Sequence, residues 1–376
     1  MRLRLLFALI ALALIAAACG DDGGSSQEAG ASDEATAEDA EPTGQVSSGW
    51  EEHVPGGDCQ CADGSEFSYW SRTASTDKVL LYFQGGGACF SEETCSFTDG
   101  TYLVQADGFE LGADGSGIFD FANDDNPFAD WSVVYVPYCT GDVHIGNNIQ
   151  EYSEDLTVNH VGFLNANHGL DHVVEEFGDA SEVVVAGSSA GGVPSPLFGG
   201  LMADGMPDAQ VTVLADGSGG YPDNPPINLA IGGLWGAYDN VPDWEVNEDI
   251  PAEEWSIPGF FTQAGLHAPE LRMARYDYAY DDVQRQFSQL SGIGEGDVLG
   301  VIEATEADIE ASGVPISSYV APGTDHTILG TDAVYTLEVE GVSFLDWLTR
   351  YVEGEDVEDV ACTDCGEPGS GDEITG

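Results

Sequence analysis

Basic residues are nearly missing from this chain. Against 68 aspartates and glutamates, its 376 residues hold 8 lysines and arginines, and Lys78 is the single lysine. A formal net charge of −60 excludes a surface built to neutralise phosphates. Nucleic acid is therefore not an expected partner, and a bare anionic membrane face repels the protein. An acidic tail alone does not explain the excess, because carboxylates run the whole length of the sequence. Sparse lysine with abundant Asp and Glu reads as adaptation to salt, where counterions screen the self-repulsion. Internal repeats are absent, and the apolar run Leu5–Ala18 falls short of the ~20 residues that a membrane-spanning helix needs. What remains is an ordinary apolar content of 42%, enough for a sizeable core in one large α/β domain or two smaller ones.

The amino terminus reads as an export signal. Arg2 and Arg4 precede the apolar run, and Ala16-Ala17-Ala18-Cys19 follows it. This arrangement resembles the lipobox of bacterial lipoproteins, so residues 1–18 are expected to be a signal peptide and Cys19 to be lipidated. An ordinary secretory cut after Ala18 is the simpler alternative. Residues 19–49 are Gly, Ser, Ala, Asp and Glu with little to bury, which predicts a disordered acidic tether. Residues 50–366 are expected to form the folded domain, and 367–376 a flexible tail.

Within that domain the informative stretch is Glu182–Val193, EVVVAGSSAGGV. Three consecutive valines suit a strand buried on both faces of a parallel sheet. Gly187-Ser188-Ser189-Ala190-Gly191 then fits Gly-x-Ser-x-Gly, the strand-to-helix elbow that projects a nucleophilic serine above a sheet. The spacing predicts a helix over Val193–Met206, its regular part delayed by Pro194 and Pro196. A second buried strand, Lys78–Gln84, runs into Gly85-Gly86-Gly87, and a glycine run after a strand leaves backbone N–H groups free to hold an oxyanion. Further strands are expected at Ser132–Pro137, Val211–Ala215, Glu270–Tyr276 and Ser317–Ala321. Further helices are expected at Val158–Phe177, Asp297–Ser312 and Ser343–Val352. Residues 217–262, rich in Pro, Gly and Trp, read as an inserted lid or wall. This alternation predicts an α/β-hydrolase-like fold, a mostly parallel sheet with helices on both faces.

The order Ser189, an aspartate, then His326 is that of a hydrolase triad on such a fold. Three aspartates compete for the acid position: Asp281, Asp277 near the end of the expected strand, and Asp216 after the strand that follows the elbow. His168 and His172 stand four apart, but no HExxH pattern accompanies them. They read as helix histidines, and neither a metal nor a cofactor is expected.

Several stretches taken together resemble the pectin acetylesterase and Notum family of serine carboxylesterases. They are CADGS (61–65), YFQGGGACFSEETC (82–95), VPYCTGDVHIGN (136–147), VAGSSAGG (185–192), AYDDVQ (279–284) and TDHTI (324–328). The resemblance implies Ser189 as nucleophile, His326 as base, and Asp281 as acid through its Asp-x-x-Gln pattern with Gln284. It implies Gly86, Gly87 and Ala190 as oxyanion donors, and a Cys89–Cys95 disulfide. Where the family carries a tryptophan, Gly87 and Ala88 are small here; the aromatic-rich insertion, with Trp235, Trp244 and Trp255, is a candidate to fill the space.

The implied protein is an exported, lipid-anchored, monomeric ester hydrolase. Its expected substrate is an acyl ester, acetyl by preference, on a polysaccharide. A catalytically silent glycan-binding protein on the same fold, a long-chain lipid-deacylating esterase, and an amidase or thioesterase are the alternatives. Export permits further disulfides: Cys59 and Cys61 are placed to reach Cys362 and Cys365 and tie the chain ends together, leaving Cys139 as a buried thiol.

The charge balance generates the first prediction. Screening acts over about 8 Å at physiological ionic strength, and it relieves repulsion more in the compact state than in the expanded one. The Tm should therefore rise between low and molar salt at neutral pH. A Tm that does not move would mean that the carboxylates are well separated or already hold cations.

Overall fold

Three valines of the elbow stretch occupy the centre of a sheet, and both of their faces are covered. Val183 and Val185 pack into one hydrophobic core and Val184 into another, as expected for a strand whose side chains alternate between two apolar layers. The computed structural model describes residues 49–106, 115–294 and 297–368. The expected signal segment, Cys19, the tether as far as residue 48 and the tail beyond residue 368 lie outside the described residues.

The strands are β1 (Trp50–His53), β2 (Tyr69–Arg72), β3 (Lys78–Phe83), β4 (Ser132–Val136), β5 (Asn148–Ser153), β6 (Leu156–His160) and β7 (Glu182–Ser188). They continue with β8 (Gln210–Asp216), β9 (Arg272–Tyr278), β10 (Ser317–Ala321), β11 (Glu338–Val339), β12 (Val342–Ser343) and β13 (Val360–Ala361). The helices are α1 (Gly162–Glu176), α2 (Ser195–Gly205), α3 (Pro225–Trp235), α4 (Ile257–His267), α5 (Asp282–Leu290), α6 (Val298–Ala311) and α7 (Phe344–Val352).

Nine strands form one sheet in the order β1-β2-β4-β3-β7-β8-β9-β10-β13. The β1–β2 and β2–β4 pairs are antiparallel, and every pairing from β4 to β13 is parallel. Helices α1 and α2 pack on the face that carries Val183 and Val185, while α7 covers the opposite face together with the 3-10 turn Gly117–Phe119. No helix among the described residues is long and apolar enough to cross a membrane.

Several boundaries differ from those the sequence suggests. The helix expected from Val158 starts at Gly162, because Leu156–His160 pairs with β5 as a hairpin. Alternating burial along Leu156, Val158 and His160 satisfies a strand, and the apolar spacing into Phe163 merely continued it. The strand expected to end at Tyr276 runs to Tyr278, which sets Asp277 inside the sheet rather than after it. The insertion contains helix α3, whose N-cap Asn224 and prolines at its first two positions start it and whose C-cap Gly236 in the left-handed region ends it.

Cysteine pairing is corrected. The ends are not tied to each other: Cys61 bonds to Cys139 and Cys362 to Cys365, while Cys89 bonds to Cys95. Cys139 is thus not a spare thiol; among the described residues that position belongs to buried Cys59. Backbone pairing decides the matter, since the Ala62 N–H donates to the Cys139 carbonyl at 2.8 Å and brings Cys61 alongside. Cys362 and Cys365 are held at the edge of the sheet. Strand β13 pairs with β10, and the Cys365 carbonyl accepts from the Gly323 N–H at 3.0 Å.

The Cys61–Cys139 bond spans 78 residues, and closing a loop of that length in the unfolded chain stabilises the folded state by about 4–5 kcal/mol. The paired substitution Cys61→Ser with Cys139→Ser should lower the unfolding free energy by about 4 kcal/mol in denaturant titrations. A loss below about 1 kcal/mol would show that the reduced chain is already held together in its unfolded state.

Candidate active site

Ser189 follows β7 directly and takes φ +55°, a left-handed conformation that a serine adopts only when its surroundings impose it. Backbone crowding imposes it here. A Cβ on Gly191 would lie 2.0 Å from the Phe83 carbonyl oxygen, one on Gly187 2.2 Å from the Gly191 oxygen, and one on Gly85 2.5 Å from the Ser188 oxygen. Strand β3, the turn and the glycine loop therefore touch backbone to backbone, and the half-buried Ser189 side chain is turned up at the carboxyl edge of the sheet.

His326 comes from the loop after β10 and stands between two partners. Its Nε2 lies 2.7 Å from Ser189 Oγ, and its Nδ1 lies 2.6 Å from Asp281 Oδ2. A carboxylate only accepts, so Nδ1 donates to Asp281 and Nε2 is left to accept from the serine hydroxyl. Of the three competing aspartates, Asp281 is thus the one that meets the histidine. It is fully buried, and it also caps α5: Oδ1 accepts the Val283 and Gln284 N–H groups, each at 2.9 Å. Burial works against a protonated His326, but the hydrogen bond and charge of Asp281, with the charges of Asp216 and Asp277, outweigh it and raise the imidazole above its ordinary value.

The other two aspartates hold positions that the sequence did not reveal. Asp216, at the end of β8, accepts from Ser188 Oγ at 2.6 Å and from the Ile328 and Leu329 N–H groups at 3.0 Å. Tyr82 donates in turn to Ser188 Oγ at 2.8 Å. Asp216 therefore ties the loop carrying His326 to the elbow carrying Ser189. Burial raises its pKa to about 6, against the pull of these donors. Asp277 Oδ1 accepts from the Gly219 N–H and from Gln284 Nε2 and does not meet His326.

A cavity of about 130 Å³ opens beside Ser189. It is lined by Gly87, Ala88, Val143, Ile145, Ala190 and Val193 and, from the insertion, by Ile227, Ile231, Trp235, Trp255, Ile257 and Phe260. Gly86 and Gly87 arrive through the loop after β3, and Gly87 bridges to Tyr102 with φ +78°. Trp235 Nε1 donates to the Cys89 carbonyl at 2.8 Å, which fixes the insertion against the loop closed by the Cys89–Cys95 bond. Trp235 and Trp255 face the cavity. Trp244 instead donates to Asp204 and stacks on His267, 4.4 Å between ring centres.

The remaining histidines stand apart from this site. Buried His144 donates to the Gln84 carbonyl and His160 to the Thr140 carbonyl. His160 is a strand residue, not a helix residue. His172 contacts the Tyr69 hydroxyl and the His53 ring, while His168 is exposed. The sulfurs of Cys89 and Cys95 lie near His160, but their disulfide removes the thiolates that a metal would need.

A parallel sheet with an elbow serine at its carboxyl edge is the α/β-hydrolase fold. The solved structure described as the Wnt deacylase Notum from Drosophila shares it, with a TM-score of 0.64 at 16% identity, covering 84% of this chain and 97% of that one. Residues 54–240 match the family model described as pectinacetylesterase. Palmitoleoyl-protein carboxylesterase notum2 of Xenopus laevis is 31% identical over 137 residues, covering 35% of this chain and 28% of its own. Pectin acetylesterase 4 of Arabidopsis thaliana is 29% identical over 163 residues, covering 42% and 40%. The chain belongs to the pectin acetylesterase and Notum family, and it spans less than half the length of these two relatives.

Removing the Asp216 carboxylate leaves two buried N–H groups without an acceptor, each worth about 1–3 kcal/mol. In Asp216→Ala the amide hydrogens of Ile328 and Leu329 should exchange roughly a hundredfold faster while those of β7 keep their protection. Equal protection in the variant would show that the loop is held by something else.

Proposed function

We propose that this protein is an exported serine carboxylesterase. The observation that carries the reading is His326 bridging Ser189 and Asp281 at the mouth of an apolar cavity. In this reading the substrate's carbonyl carbon sits over Ser189 Oγ. His326 Nε2 takes the hydroxyl proton as Oγ attacks, and Asp281 stabilises the imidazolium. The negative charge that develops on the carbonyl oxygen is met by backbone N–H groups of Gly86, Gly87 and Ala190, where one lost donor typically costs about 3–4 kcal/mol. His326 returns the proton to the departing alcohol, and water, deprotonated by the same nitrogen, releases the acid from Ser189.

The cavity favours a particular acyl group. An acetyl ester enters but leaves most of the insertion's apolar wall uncovered. A longer chain covers it, and each buried methylene contributes about 0.8 kcal/mol. The relatives act on both kinds of ester by name: pectin acetylesterases, and palmitoleoyl-protein carboxylesterases. The Trp235 and Trp255 rings, with Ile227 and Ile231, give the cavity large apolar surfaces alongside the small Gly87 and Ala88. We place the protein outside the cytoplasm, where its three disulfides persist, and we propose Cys19 as its lipid anchor.

The test is a series of nitrophenyl esters from acetyl to decanoyl. Values of kcat/KM should rise about tenfold or more from acetyl to a chain of six to eight carbons. Ser189→Ala and His326→Ala should each lose nearly all turnover while remaining folded, and Asp281→Asn should lose less. A steady decline beyond acetyl would restore the acetyl-specific reading, and turnover by Ser189→Ala near the parent level would overturn the mechanism.

A further inference from the structure

We propose that Asp277 is a positioning residue of this site: through Gln284 it holds the Asp281–His326 pair, and its negative charge adds to that of Asp281 beside the imidazole. The proposal rests on the hydrolase reading above and concerns a carboxylate that reaches neither His326 nor the cavity.

The bridge is a single amide group. Gln284 Nε2 donates to Asp277 Oδ1 and to Asp281 Oδ2, each at 2.9 Å, and Gln284 Oε1 accepts the Gly220 N–H at 2.6 Å. Each hydrogen of that amide serves one carboxylate. Turned over, it would set its oxygen against two carboxylates, so the two acids and the Gly220 N–H define one orientation. The Asp281 oxygen that Gln284 reaches is the one that accepts from His326 Nδ1. Asp277 is thus linked to the histidine through two hydrogen-bonded side chains, all on buried or half-buried residues.

The surroundings of Asp277 leave its charge poorly compensated. Gly219 donates to Oδ1 at 2.8 Å from the loop after β8. Oδ2 is buried with no hydrogen bond, and the nearest cation, Arg275 Nε on the same strand, stands 4.0 Å away, itself without a hydrogen bond. Arg275 is turned toward α6, where it meets Glu306 at 2.8 Å and Thr305 at 2.9 Å. From α5 and its cap come Gln284 and the charge of Asp281. From the loop after β8 comes the Tyr221 phenol, which burial and both aspartates hold neutral. Burial leads the effects on Asp277; Arg275, the Gly219 N–H and Gln284 pull against it, Asp281 pushes with it, and the pKa settles at about 6. Its negative charge in turn favours protonated His326. The charge of Asp277 and the protonation of His326 are therefore linked.

The full chain tests this with a fluorophosphonate that labels Ser189, alongside ester turnover. In the parent, the acid limb of the labelling rate should need two ionisations to fit. In Asp277→Asn it should need one, with its midpoint lower by about half a pH unit or more, kcat reduced about tenfold and KM changed less than twofold. A merely structural role would lower stability without moving that midpoint. A one-ionisation limb in the parent overturns the proposal without any variant, and so does an Asp277→Asn protein with the parent's midpoint and kcat. A parent that neither reacts with the fluorophosphonate nor hydrolyses any ester would overturn the hydrolase reading, and this proposal with it.

Discussion

The Phe83 carbonyl lies so near the turn after β7 that no side chain fits at Gly191. Everything at the carboxyl edge of the sheet depends on that contact. It forces the sharp turn that gives Ser189 its left-handed backbone. It also seats the Gly85–Gly87 loop against the same turn, because a Cβ on Gly85 would likewise collide with the Ser188 carbonyl, at 2.5 Å. Two backbone segments distant in sequence are thereby locked together before any side chain contributes. The serine and the candidate oxyanion donors share one rigid origin.

The scarcity of basic residues shapes how buried carboxylates are held. Asp142, Asp216, Asp277 and Asp281 are all fully buried, and only Asp277 has an arginine near. The others are satisfied by backbone N–H groups. Asp142 accepts from Gly162 and His144 together with the Thr140 hydroxyl, Asp216 from Ile328 and Leu329, and Asp281 from Val283 and Gln284. Each of these aspartates pins a loop or a helix start to the end of a strand. A backbone donor stays bound in salt where a surface ion pair is screened, so this arrangement suits a chain with 68 acidic and 8 basic residues.

The insertion shows a different division of labour. Its tryptophans look equivalent in sequence, yet Trp235 and Trp255 build the cavity wall while Trp244 fastens the segment to Asp204 and His267. Nothing in the local spacing of these residues separates the two roles. Hairpin β5–β6 and the short strands at the sheet's ends were illegible for a related reason. Their segments are brief and half-polar, and only a neighbouring strand gives them a preferred conformation.

The sequence by itself determined the parallel core, the elbow and the residue types of the site. Consecutive valines and small residues around Ser189 admit few other arrangements, and those constraints are local. It also carried the family likeness that singled out Asp281 and His326. What only the tertiary structure decided were the places of the other like groups: where Asp216 and Asp277 bond, how Cys61, Cys139, Cys362 and Cys365 pair, and which tryptophans face the cavity. Asp216, Asp277 and Asp281 are chemically the same side chain, and their separate positions depend on where β8, β9 and the start of α5 lie beside the loop after β10. That distinction rests on contacts between segments up to 113 residues apart, and no local pattern records them.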